Sequence, residues 1–181
     1  MKYIVKYYLL RHVKVMFSMN PHAAIYKDMP RDTIVCNTYR PELIREAHEL
    51  NRLCNNKYPF LFICDDYVDS KIKNDPEITR LLTLYRNANM SSLQCFQRAT
   101  LMSATGRNNT NYIFIFKQNT ASNYEDIVKE FLSMYLPSTM TIREMVEFCV
   151  KALDDHCFFV VDTVGGECYL SKLSAEQLAD L

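Results

Sequence analysis

The chain has 181 residues, 49% of them hydrophobic and 23% charged, a composition that excludes an intrinsically disordered polypeptide. Its 21 basic and 21 acidic side chains give a formal net charge of zero, so the chain as a whole is not a strongly basic nucleic-acid binder. A local basic patch or a DNA-contacting loop stays open. No apolar run is long enough to span a bilayer, and the N-terminal MKYIVKYYLLRHVK carries lysines where a signal peptide needs an unbroken apolar stretch.

Residues 1–11 read as a helix entered partway through. VKVMFSM at 13–19 and TIVC at 33–36 read as short strands joined by a polar connection containing Pro21 and Pro30. Pro41 suits a first helical turn. Leu43, Ile44, Ala47, Leu50, Leu53 and Cys54 then recur on one face at helical spacing, with Glu42, Arg45, Glu46, Glu49 and Arg52 opposite. After an apolar strand at 58–64, Asp75-Pro76 is an N-cap followed by an N1 proline, opening a helix with Ile78, Leu81 and Leu82. Ser91 or Ser92 caps a further helix through Leu93, Phe96 and Leu101, ending near Gly106. NYIFIFKQN at 111–119 is a second buried strand. Ser122…Glu125 and Thr141…Glu144 are capping-box patterns that open helices at about 123–135 and 141–153. CFFVVD at 157–162 and ECYL at 167–170 flank Gly165-Gly166 and predict a C-terminal β-hairpin over 157–171. Strands alternate with helices along most of the chain, which predicts one three-layer α/β domain over 1–181 with a mainly parallel sheet.

The seven cysteines are odd in number and contain no CxxC pair, so they read as reduced thiols in a reducing compartment. The four histidines are scattered, and no zinc site is expected.

FLFICDDYVDS, residues 60–70, is the stretch with the clearest chemistry. Phe60 to Cys64 show no alternation, as in a strand covered on both faces. Asp65 and Asp66 must then lie at or just past its C-terminal end, the edge where open α/β sheets bind ligands. The pair either caps the next segment or forms a Walker B site, one carboxylate holding Mg²⁺ and the other activating water.

The order FLFICDDYVDS, then a stretch ending SATGRNN, then NYIFIFKQN resembles the FtsK–HerA-type DNA-packaging ATPases of large DNA viruses and of virophage- and polinton-like elements. The likeness covers roughly residues 3–120. It implies a RecA/FtsK-type P-loop NTPase core that binds ATP and Mg²⁺ and moves double-stranded DNA into a viral capsid as a homo-oligomeric ring. It also implies a virus-encoded protein of the host cytoplasm or nucleus, or of the virion, with no membrane partner. Asp65 would coordinate Mg²⁺ and Asp66 would polarise the attacking water. Gln118, at the tip of the strand neighbouring the acid-bearing one, would sense the γ-phosphate. Arg107 would reach the nucleotide of a neighbouring subunit as an arginine finger.

One element of that pattern is missing. A Walker A loop is GxxxxGK[ST], and the three glycines here, Gly106, Gly165 and Gly166, cannot build it. The expectation is an N-terminally incomplete ATPase domain, unable to hydrolyse ATP as it stands, either a fragment or a decayed domain. Two alternatives stand beside it. One is an inactive ATPase-like structural or interaction subunit. The other is an Mg²⁺-dependent nuclease using Asp66, Asp69 and Lys71 as a D…DxK pattern.

Overall fold

The structure, a computed structural model, describes residues 11–23, 26, 29–30, 32–65 and 72–175. All of the expected helix at 1–11 except Arg11, together with Asp66, Asp69 and Lys71, lies outside the described residues. The described residues fall into two compact units. One runs through Gln97 and includes Leu101–Asn109, and the other holds Arg98–Thr100 and the residues from Thr110 onward.

The first unit is built on a four-stranded sheet of order β2-β1-β3-β4: β1 (Val13–Ser18), β2 (Ile34–Cys36), β3 (Phe60–Asp65) and β4 (Met90–Cys95). Every pairing is parallel. Parallel sheets are covered on both faces, and Phe60 to Cys64 are all buried. Phe60, Phe62 and Cys64 join Val15, Phe17 and Met90 in the larger apolar cluster. Phe17, Phe62 and Phe60 stack in sequence at ring separations of 6.4 Å. Leu61 and Ile63 point the other way with Met16, against Tyr26, Met29 and Leu93.

Helices α1 (Pro41–Leu53) and α2 (Pro76–Thr83) supply the larger cluster with Ile44, Ala47, Ile78 and Leu81. Asp75 caps α2 as predicted, its side chain accepting from the backbone N–H groups of Glu77 and Ile78. The inward face of α1 differs from the predicted stripe. Leu50 and Leu53 are exposed at 55% and 73%, and Asn51 is fully buried. Asn51 Nδ2 donates to the carbonyls of Tyr58 (2.8 Å) and Ala88 (2.6 Å), and its Oδ1 accepts from Tyr58 N–H at 3.0 Å. Those bonds join the end of α1 to the backbone entering β3 and β4, and they rotate the helix to bring the amide inward.

Two expectations for this unit are corrected. Residues 90–95 form the strand β4, where a serine-capped helix was expected. Gly106 lies inside a short helix, α3 (Ala104–Asn109), and does not end one. A Cβ at Gly106 would sit 3.2–3.3 Å from Met102, Ser103 and Leu82, so the glycine serves a close approach.

The second unit is an antiparallel sheet of order β5-β6-β7: β5 (Tyr112–Ile115), β6 (Cys157–Asp162) and β7 (Glu167–Lys172). The strand at 111–119 was expected beside β3, where β4 stands; as β5 it pairs with β6. Helix α4 (Ala121–Ile127) continues into a π-helical turn, Val128–Leu132, and α5 (Ile142–Ala152) follows. The predicted capping box of Thr141 and Glu144 opens α5. At α4 the cap is Thr120, whose hydroxyl accepts from Asn123 N–H, in place of the expected Ser122. The hairpin forms around Asp162, whose Oδ1 accepts from Val164 and Gly165 N–H at 2.9 and 2.8 Å. Gly166 supplies the positive φ of +70° that closes the turn.

Candidate functional site at the C-terminal edge of the parallel sheet

The register of the first sheet places Ser18, Asp65 and Cys95 side by side at the C-terminal ends of β1, β3 and β4. Asp65 is half-buried, as expected of a carboxylate where a wholly apolar strand ends. Tyr26 Oη donates to Asp65 Oδ2. Ser18, 1% exposed, lies with its Oγ 3.2 Å from Tyr26 Oη and accepts from Asn20 N–H at 3.2 Å.

Asp65 thus occupies the place that the sequence assigned to it, and Asp66, the next residue, lies outside the described residues. The far end of the segment after β3 is also held by a phenol. Tyr39 Oη donates to Asp75 Oδ1 at 2.8 Å, while Asp75 caps α2. Burial, then the bond to Asp75, raise the Tyr39 phenol pKa well above its ordinary value. Tyr39 also packs edge-on against Phe17, with ring centroids 5.4 Å apart.

Among the described residues no cluster of three His, Cys, Asp or Glu side chains is placed to hold a metal. Magnesium does not need one, because it commonly binds through one or two carboxylates and keeps waters and phosphate oxygens for its other positions. The carboxylate of Asp65 fits that chemistry, whereas the thiol of Cys95 does not.

The other predicted residues stand elsewhere. Arg107 lies on α3 in the first unit, its Nη1 donating to the Met102 carbonyl at 3.0 Å. Gln118 belongs to the second unit, where its Nε2 donates to Phe116 O and its backbone N–H to Tyr124 Oη, at 2.8 and 3.1 Å. β3 is hydrogen-bonded to β1 on one side and to β4 on the other, and two residues beyond the end of β4 stands the exposed Gln97. Sequence reading passed over Gln97 because 91–101 was expected to be helical. Its signal was the polar pair Gln97-Arg98 just past Phe96, which is legible as a strand end only once β4 is known to be a strand. Ser18 and Tyr26 were also missed, since no motif marks either.

No protein-family model matches the sequence, and no curated protein does. Solved structures do match. The genome packaging NTPase B204 of Sulfolobus turreted icosahedral virus 2, in complex with AMPPCP, superposes at a TM-score of 0.66 with 15% identity, over 95% of this chain and 91% of that chain. B204 of Sulfolobus turreted icosahedral virus, a DNA-packaging ATPase, gives 0.67 with 14% identity over the same shares. The fold is that of a viral packaging ATPase. A third match to this packaging-ATPase fold is B204 of the former virus in complex with ATP-gammaS, at 0.65 and 17% identity, over 94% of this chain and 89% of that chain. No helix among the described residues is long and apolar enough to cross a membrane.

Proposed function

We propose that this chain is the ATPase domain of a viral genome-packaging motor, coupling ATP hydrolysis to the movement of double-stranded DNA into a capsid. The observation that carries the proposal is Asp65 at the C-terminal end of β3, within a fold shared over 95% of the chain with packaging NTPases. Asp65 holds Mg²⁺ and Asp66 orients the attacking water. Bound Mg²⁺ would offset the charge developing on the phosphate oxygens. The γ-phosphate sensor is a glutamine closing the strand beside the acid-bearing one. Of the two strands beside β3, β1 is followed by Met19 and Asn20 and β4 by Phe96 and Gln97, which favours Gln97 for the role first assigned to Gln118. Arg107 is the arginine finger toward a neighbouring subunit of a homo-oligomeric ring. The three glycines of these 181 residues cannot form a phosphate-binding loop, so this reading requires one supplied in addition to them.

The test is to join the coding sequence upstream of Met1 to this chain and assay Mg²⁺-dependent ATP hydrolysis. A GxxxxGK[ST] loop in frame and steady turnover are expected, with Asp66→Asn abolishing turnover and Gln97→Ala lowering it while Gln118→Ala leaves it intact. An extended protein that keeps both acids, carries the loop and hydrolyses nothing would overturn the proposal. The missing loop favours one second reading, an ATPase-like interaction subunit. That reading predicts a stop codon directly upstream with no loop encoded nearby.

A further inference from the structure

Three oxygens in series end on Asp65, and their hydrogen-bond directions are determined. The phenol of Tyr26 has one proton, and it is donated to Asp65 Oδ2. The 3.2 Å contact between Ser18 Oγ and Tyr26 Oη therefore has Ser18 as donor. Ser18 Oγ in turn accepts from Asn20 N–H. The series runs Asn20 N–H to Ser18, Ser18 to Tyr26, Tyr26 to Asp65, every donor facing the carboxylate. Such a series polarises its members in one direction. Its root is rigid, since Ser18 is 1% exposed and held in the sheet opposite Asp65. Among the described residues, Asp65 Oδ1 accepts no side-chain hydrogen bond.

We propose that Tyr26 is a positioning residue for Asp65. With Ser18 behind it, Tyr26 fixes the carboxylate in one orientation and leaves Oδ1 for a divalent cation. The proposal rests on the reading of Asp65 as a cation ligand. Partners that hydrogen-bond a metal ligand fix its orientation, and their loss costs roughly 10–100-fold in metal affinity. The aromatic ring of Tyr26 packs against Met16, Leu61 and Ile63, so Phe retains the packing and removes only the hydroxyl.

The experiment is a Mn²⁺ titration of the present chain followed by electron paramagnetic resonance. A near-ultraviolet tyrosine difference spectrum on adding Mg²⁺ accompanies it. Wild type should take up Mn²⁺, Asp65→Asn should not, and Tyr26→Phe should bind about 10-fold more weakly. Ser18→Ala should weaken binding in the same direction and by less. The Mg²⁺-induced tyrosine signal should be present in wild type and absent from both Tyr26→Phe and Asp65→Asn, a signature that a merely structural tyrosine would not produce. Unchanged affinity in Tyr26→Phe, with binding lost in Asp65→Asn, overturns the positioning role and leaves Asp65 as the ligand. Undiminished binding in Asp65→Asn overturns both. A wild type that takes up no Mn²⁺ at millimolar concentration also overturns the positioning role, while the ATPase reading is still decided by the extended protein.

Discussion

Asn51 offers the sharpest test of how the first unit holds its sheet. The Asn51 amide makes three hydrogen bonds, two donated to the carbonyls of Tyr58 and Ala88 and one accepted from Tyr58 N–H. Truncation to Ala removes all three in a site with no water access, at roughly 1 kcal/mol each, or about 3 kcal/mol. Alanine is the better helix former by about 0.5 kcal/mol, which leaves a net loss of roughly 2.5 kcal/mol. For a chain of this size that corresponds to a fall in Tm of roughly 5–10 °C. Asn51→Asp should be worse at neutral pH. Its carboxylate keeps the acceptor for Tyr58 N–H but sets a buried charge against two carbonyl oxygens, and an uncompensated buried charge costs about 3–5 kcal/mol. Leu50→Ala is the control. Leu50 lies on the apolar stripe that periodicity marks as inward, yet it is 55% exposed, so its truncation should stay within about 0.5 kcal/mol. Urea unfolding followed by circular dichroism measures all three variants. A larger loss for Leu50→Ala than for Asn51→Ala would refute the observed rotation of α1, and with it the tie between α1 and the entries to β3 and β4.

Four further outcomes are expected. The Tyr39 phenol keeps its proton more tightly folded than unfolded, so its contribution is complete below the ordinary tyrosine value of about 10 and declines as pH rises above it; Tyr39→Phe should flatten that alkaline decline in urea midpoints and cost about 1 kcal/mol at neutral pH. Burial pushes the thiol of Cys64 up to about 12 and that of Cys149 up to about 11, so these two of the seven cysteines should react with a disulfide reagent only after unfolding, as mass mapping would show. Thr141→Ala should cost about 1 kcal/mol through loss of the α5 cap. Bonds to the Thr141 backbone and side chain hold Glu144 below the usual glutamate value, so its contribution is present above that value and is lost as pH falls through the lowered one; acid melts of Glu144→Gln should lack that step.

The elements legible in the sequence are those whose signals are local. β1 and β3 announce themselves as apolar runs, α1 and α2 by proline at their starts, α2 and α5 by side-chain caps, and the hairpin by its glycines. β4 has no such signal. MSSLQC lies on the rim of the sheet, and of its six residues only Met90 is fully buried. Two serines before an apolar pair therefore read as a cap. The decisive force is non-local, the ladder with β3 from Phe60↔Met90 to Asp65↔Cys95. β5 misleads in the opposite sense. Its unbroken apolar run suggests cover on both faces, yet Tyr112, Phe114 and Phe116 are exposed. Phe114 and Phe116 pack instead on Phe158, at 6.3 and 5.3 Å, as a self-sheltering aromatic group on one face of an antiparallel sheet.

These two errors have one consequence for the site. Exchanging β4 for β5 as a neighbour of β3 moves the expected glutamine from Gln97 to Gln118, across the boundary between the two units. Asp65 was immune because its place follows from a single strand: five buried residues cannot extend into a charge. Gln97, Ser18 and Tyr26 depend on which strands pair and on what returns across 39 residues from Tyr26 to Asp65, information that no local window holds. A carboxylate at a strand end can thus be read from its own neighbours. The groups that orient it come from the register of β1 against β3, in which Ser18 faces Asp65, and only the assembled sheet contains that relation.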